Sequence, residues 1–175
     1  VVEDPYKASA LVFFPDIRTA CEAVICLKSQ PPHLAVSAVE LLDRPALHSV
    51  ENKPGLPPVI RELGEDAAAL LIEVRAGTAE GITDKIAAVQ AAMAGIRTVE
   101  PMAFSTDPAT CEMYWKVRKG TFPSVGAMRR TGTTVLIEDV AFPIESLADA
   151  TLDLQGLLRH HGYHEAIIFG HALEG

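Results

Sequence analysis

Three short runs of this sequence carry side chains that could do chemistry. In Tyr114-Trp115-Lys116-Val117-Arg118-Lys119, Arg118 falls three and four positions after Trp115 and Tyr114, so on a helix the three share a face. An arginine held against aromatic rings can present its planar fork to a carboxylate. The competing reading is that the two aromatics belong to the core and Arg118 snorkels to solvent. In Phe169-Gly170-His171-Ala172-Leu173-Glu174-Gly175, a strand delivers an imidazole and a carboxylate to a glycine-flanked turn. His171 there is placed for metal ligation or for proton transfer, although one histidine and one glutamate do not specify a metal. In Ile137-Glu138-Asp139-Val140, two successive acids interrupt an apolar strand, and alternation sends them to opposite faces, so they do not act as a pair.

Other clusters read as structural. His160, His161 and His164 surround Gly162 at a helix end, where imidazoles interact favourably with the dipole. Cys21 and Cys26 lie five apart on a helix and diverge, which makes them small hydrophobes rather than a metal or redox pair. The sequence has no GxGxxG, P-loop, GxSxG or CxxC motif, so neither dinucleotide binding nor acyl or thiol chemistry is visible.

The elements that must position these residues follow from periodicity. Residues 10–14 form a short apolar run closed by Pro15-Asp16, and Ile17, Ala20, Cys21, Val24 and Leu27 then recur at helical spacing. Residues 34–42 read as a second strand, broken by Asp43-Arg44-Pro45, and residues 52–58 as a loop into a helical turn closed by Gly64. Residues 67–74 read as a third strand, 78–94 as a helix capped by Gly95, and 98–102 as a fourth strand. The order is βα-β-β-αβ, which predicts an α+β fold with ferredoxin-like split βαβ units, an antiparallel sheet covered on one face by helices. Beyond it the pattern predicts a helix over 108–120, an irregular excursion over 122–131, a strand over 133–142, a helix over 144–161 and a last strand over 165–170.

The chain has 175 residues, 49% of them hydrophobic, enough for one filled core, and residues 1–175 are expected to form a single domain. A net charge of -8 repels phosphate backbones and anionic lipid, which disfavours nucleic-acid binding. No apolar run reaches the roughly 20 residues that span a bilayer. Three cysteines, an odd number, fit a reducing compartment, so a cytoplasmic location is expected. A start at Val1-Val2 without methionine and an end at Gly175 suggest a piece of a longer protein.

The runs Trp115-Lys116-Val117-Arg118-Lys119-Gly120, Gly132-Thr133-Thr134-Val135-Leu136-Ile137-Glu138-Asp139-Val140-Ala141-Phe142-Pro143 and Ile168-Phe169-Gly170-His171-Ala172-Leu173-Glu174-Gly175 resemble the C-terminal domain of FAD-linked oxidases. That family includes D-lactate dehydrogenases, the glycolate oxidase flavin subunit and D-2-hydroxyglutarate dehydrogenase. Ser37-Ala38-Val39-Glu40-Leu41-Leu42-Asp43-Arg44 and Ala69-Leu70-Leu71-Ile72-Glu73-Val74 are similar to it too. The resemblance implies an upstream FAD-binding domain over which this one closes, and hydride transfer from the hydroxyl-bearing carbon of a small 2-hydroxy acid, D-lactate by default, to FAD. It implies that Arg118 grips the substrate carboxylate. His171 matches the first histidine of a motif that holds a divalent ion such as zinc against the substrate oxygen, and the rest of that motif would lie past Gly175. Ile137 stands where some relatives carry a substrate-binding lysine, and Glu174 where many have aspartate. The resemblance to large bacterial members implies a fused C-terminal iron–sulfur domain, and with it a whole protein expected to be peripheral to the inner membrane. Alone, the piece would be inactive, and it could pair as a homodimer through a surface its missing half covers. The alternative is a non-catalytic ferredoxin-like module for small-molecule sensing or dimerisation.

Overall fold

A computed structural model describes residues 4–128, 131–134 and 139–175. Strand β1 (Tyr6–Phe14) leads into helix α1 (Ile17–Lys28), β2 (Ala38–Leu42), α2 (Arg44–Val50) and a 3₁₀ turn (Pro58–Arg61). Strand β3 (Ala68–Ala76), α3 (Ala79–Ala92) and the long α4 (Pro108–Met128) follow, then a second 3₁₀ turn (Ile144–Ser146), α5 (Leu147–His160) and β4 (Phe169–His171). The strands form one antiparallel sheet in the order β1-β3-β2-β4. The α+β expectation therefore holds.

The helices start where short polar side chains can satisfy first-turn N–H groups. Asp16 accepts from Thr19 N at 2.7 Å to start α1, Thr78 from Gly81 N at 3.0 Å to start α3, and Asp107 from Thr110 N at 2.8 Å to start α4. The Asp43-Arg44-Pro45 step, expected as a break, is also a start. Asp43 accepts from Ala46 N at 2.9 Å, and Pro45 fits the first turn of α2, where a missing N–H costs nothing.

Helices cover both faces of the sheet, not one. On one face Val12, Phe14, Leu41, Leu70 and Ile72 pack against α1 and α3, and α5 lies outside α1. On the other, Phe13, Leu42 and Ala69 pack under α2, the first 3₁₀ turn and α4. With both faces covered, β3 has no water-facing side, so it reads as an almost continuous apolar run.

The strand expected over 98–102 does not form. Val99 N donates to Phe13 O at 2.8 Å, and Ser9 and Ser105 exchange backbone hydrogen bonds at 3.0 and 2.9 Å, so the segment touches the outer edge of β1 at two points. Pro101, between them, has no N–H to extend a ladder. This is the position of the fourth strand in the ferredoxin order, here left irregular. The excursion expected over 122–131 is instead helical as far as Met128, with Pro123 inside α4. Buried Val117 and Thr121 dock that helix before it reaches the proline. Residues 129–130 fall outside the described residues. So do 135–138 of the strand expected over 133–142, while 139–142 form no strand.

Asp43 generates a prediction about pH. Burial pushes its carboxyl up from 3.8 to about 6, against hydrogen bonds from Ala46, Ile168 and Gln155. The unfolded chain loses this proton near 3.8 and the folded chain near 6, so in that window the folded state binds more protons and stability falls as pH rises. Denaturation midpoints measured from pH 4 to 7 should therefore show a decline that Asp43→Asn flattens, by on the order of 2–3 kcal/mol across the window. Parallel profiles would contradict the assignment.

Candidate functional site

The face beneath α4 carries two buried carboxylates in otherwise apolar strands. Strand register sets Leu11, Leu71, Glu40 and His171 in one row across β1, β3, β2 and β4, and Ser9, Glu73 and Ala38 in the next. Glu40 is 1% exposed and Glu73 is 3% exposed. Taking such groups out of water costs several kcal/mol unless strong donors meet them. Both are met from α4. Trp115 Nε1 donates to Glu73 Oε2 at 2.6 Å, and Arg118 Nε donates to Glu40 Oε2 at 2.7 Å. Glu73 also accepts from Arg75 Nε at 2.6 Å and from the Ser9 hydroxyl at 3.4 Å.

Arg118 and His171 meet at Glu40. The second oxygen of Glu40 takes His171 Nδ1 at 2.5 Å, so one carboxylate holds a guanidinium from α4 and an imidazole from β4. The two sequence candidates are thus on the same side of the sheet and share a partner. The aromatic partner of Arg118 differs from the one its helical spacing suggested. Its guanidinium carbon lies 4.7 Å above the Phe169 ring, two residues before His171 on β4. Trp115 is instead committed to Glu73.

With Nε tied to Glu40, the end-on pair of terminal guanidinium nitrogens is the edge left for a ligand, and no described residue hydrogen-bonds it. The space behind Arg118 is closed. A cavity of about 10 Å³ lined by Leu11, Leu47, Leu71 and Val117 is smaller than any substrate, so a ligand must approach from outside. That is the side on which His171 stands, its side chain 81% exposed. A wider groove of about 850 Å³, lined by Tyr6, Lys7, Arg75, Ile82 and Thr106, contains neither Arg118 nor His171.

A family model described as FAD linked oxidases, C-terminal domain, matches residues 3–175. The chain belongs to this family. No individually curated protein matches it. As an FAD-linked oxidase C-terminal domain, it implies FAD in the whole protein and an FAD-binding domain as its partner. The contacts bring Arg118, Phe169 and His171 together on one face of the sheet. For a metal, His171 offers one ligand whose other ring nitrogen is backed by a carboxylate, and no group of three ligating side chains is found among the described residues. Among the described residues no helix is long and apolar enough to cross a membrane.

The remaining sequence candidates are not part of this site. Glu138 and Ile137 lie outside the described residues, and Asp139 is exposed. His160 and His161 are exposed beside Gly162, whose φ of +84° closes α5 with Tyr163 N donating to Leu158 O at 2.8 Å, as expected of a solvated cap. Cys21 is buried, its thiol pushed up to about 12 by burial, and all three cysteines are free. Sequence reasoning missed Glu40, Glu73 and Phe169 as site residues. The available signal was a lone acid within each of two strongly apolar strands, since such an acid is buried and needs a partner.

Trp115→Phe keeps the ring but deprives buried Glu73 of its shortest-range donor from α4. It should destabilise the chain by about 1–3 kcal/mol. The unfolding should be followed by far-ultraviolet circular dichroism, because the change removes the chain's one tryptophan. An unchanged midpoint would mean that the bond does not anchor α4.

Proposed function

We propose that this domain forms the substrate-binding wall of a flavin-dependent D-2-hydroxy-acid dehydrogenase, D-lactate-like, and that Arg118 and His171 are the residues facing the substrate. The observation that carries this reading is their convergence on one buried carboxylate beside an aromatic ring: Arg118 Nε and His171 Nδ1 each meet one oxygen of Glu40, and the Arg118 guanidinium lies over Phe169. A 2-hydroxy acid offers a carboxylate and, one carbon away, a hydroxyl. An arginine fork and an imidazole match these two groups.

When bound, FAD supplies the acceptor for the hydride that leaves the hydroxyl-bearing carbon. The domain's own side chains do the rest. The terminal nitrogens of Arg118 take the two carboxylate oxygens end-on, and Phe169 beneath the guanidinium limits its motion. His171 Nδ1 gives its proton to the bond with Glu40, which leaves Nε2 as the acceptor on the exposed side. That nitrogen takes the hydroxyl proton as the carbon loses hydride, so the acid leaves as its 2-oxo form. A divalent ion such as zinc would need ligands beyond His171, and no step is assigned to one here. The three free thiols fit a cytoplasmic location.

The test is steady-state oxidation of D-lactate, D-2-hydroxyglutarate and glycolate by the whole flavoprotein with a redox dye. Arg118→Ala should raise KM for the preferred acid about 100-fold, from loss of a charge-assisted bidentate contact of about 2–3 kcal/mol. Arg118→Lys should recover less than about a tenth of that loss, because an ammonium cannot reproduce the fork. Unchanged constants in Arg118→Ala would remove the assigned role.

A further inference from the structure

We propose that Glu40 is the positioning residue of this site: one buried carboxylate that sets the substrate-gripping guanidinium of Arg118 and the imidazole of His171 relative to each other. The inference rests on the functional reading above and goes beyond it, since it assigns a role to a residue that touches neither substrate nor flavin.

The argument begins with burial. Glu40 lies at the centre of β2, between Val39 and Leu41 on the opposite face, and its neighbours in the row are Leu71 and His171. A carboxylate at 1% exposure is held in place by its surroundings, with backbone register on both sides fixing its Cα. Its two oxygens are divided between two partners, Oε2 to Arg118 Nε at 2.7 Å and Oε1 to His171 Nδ1 at 2.5 Å. Both partners are more exposed than Glu40, Arg118 at 17% and His171 at 81% of the side chain. The His171 side chain is mostly exposed, and α4 brings Arg118 from a different layer of the fold.

Each bond selects a chemically useful state of its partner. Binding Nε of Arg118 rather than a terminal nitrogen leaves the end-on fork intact for a ligand. Holding Nδ1 of His171 against Glu40 turns the ring so that Nε2 is the nitrogen directed away from the carboxylate. Because the two bonds share one carboxylate, the distance between fork and imidazole is set by a rigid group of about 2 Å rather than by two flexible side chains. Preorganisation of that kind lowers the cost of reaching the reacting geometry. If Glu40 only filled space, an isosteric neutral replacement would serve as well. If it positions both groups, the replacement fails, because a glutamine amide has one acceptor oxygen for two donors.

The experiment uses the whole flavoprotein, with D-lactate, D-2-hydroxyglutarate and glycolate as probes and a redox dye as acceptor. Wild type, Glu40→Gln, Glu40→Asp, Arg118→Ala and the double variant Glu40→Gln/Arg118→Ala are compared, with flavin content and thermal midpoint recorded for each. Glu40→Gln should raise KM and lower kcat, each by about 10-fold or more. Glu40→Asp retains the carboxylate and should recover part of the kcat loss. The double variant should have nearly the KM of Arg118→Ala alone, since Glu40 acts on KM through Arg118. Glu40→Gln with wild-type KM and kcat, or losses that multiply in the double variant, would overturn the proposal while leaving the functional reading intact. If Glu40→Gln does not fold with flavin, Glu40→Asp decides, and a folded Glu40→Asp with no change in either constant overturns the proposal as well. A wild type that oxidises none of the three acids, or an Arg118→Ala variant that matches it, overturns the functional reading and this inference together.

Discussion

The structure depends on how two carboxylates in apolar strands are kept paired away from water. Glu40 and Glu73 sit on the same face of the sheet, and each would destabilise the fold if its partner were withdrawn, because an uncompensated buried charge costs several kcal/mol. Beside Arg75 and Ser9 at Glu73 and His171 at Glu40, each carboxylate takes one partner from α4, and those two lie one turn apart. The requirement therefore fixes the position of that helix along the sheet and the direction in which it presents Arg118. Apolar packing at Val117 holds α4 against the sheet, but such packing tolerates sliding. Two directional bonds to two strands do not.

The same constraint explains why the site sits at the edge of the sheet. Glu40 belongs to β2, and the short β4 is the strand beside it, so the only imidazole that the β2–β4 register places opposite Glu40 is His171. Phe169, two residues earlier, falls on the same face and meets the Arg118 guanidinium. A guanidinium, a ring and an imidazole gather on one side through the two-residue period of a strand and the placement of one helix. The result is a cluster on one face of the sheet, in a domain whose family pairs with an FAD-binding domain.

Much of the fold was legible because local signals agreed with burial. The helical periodicity after Asp16 and after Thr78 marked α1 and α3, and the apolar run of β3 marked a strand. Where a residue has two readings, the pattern misled. Pro45 is a helix breaker in mid-helix but a good first-turn residue, and Pro123 is carried within α4 because the helix is already docked. For the site, Arg118 and His171 were visible as residue types in the right surroundings. Their meeting point was not, since Glu40 is 78 positions from Arg118 and the contact depends on strand order. For the same reason helical spacing offered Trp115 and Tyr114 as aromatic partners, while the ring that Arg118 covers comes from another element.

The most direct measurement is a crystal structure of the whole flavoprotein with a 2-oxo acid bound. The account predicts the ligand carboxylate on the two terminal nitrogens of Arg118 and its oxo oxygen within hydrogen-bond reach of His171 Nε2. Glu40 should still bridge Arg118 Nε and His171 Nδ1. A ligand bound away from Arg118, or a Glu40 that has released both partners in the complex, would contradict it.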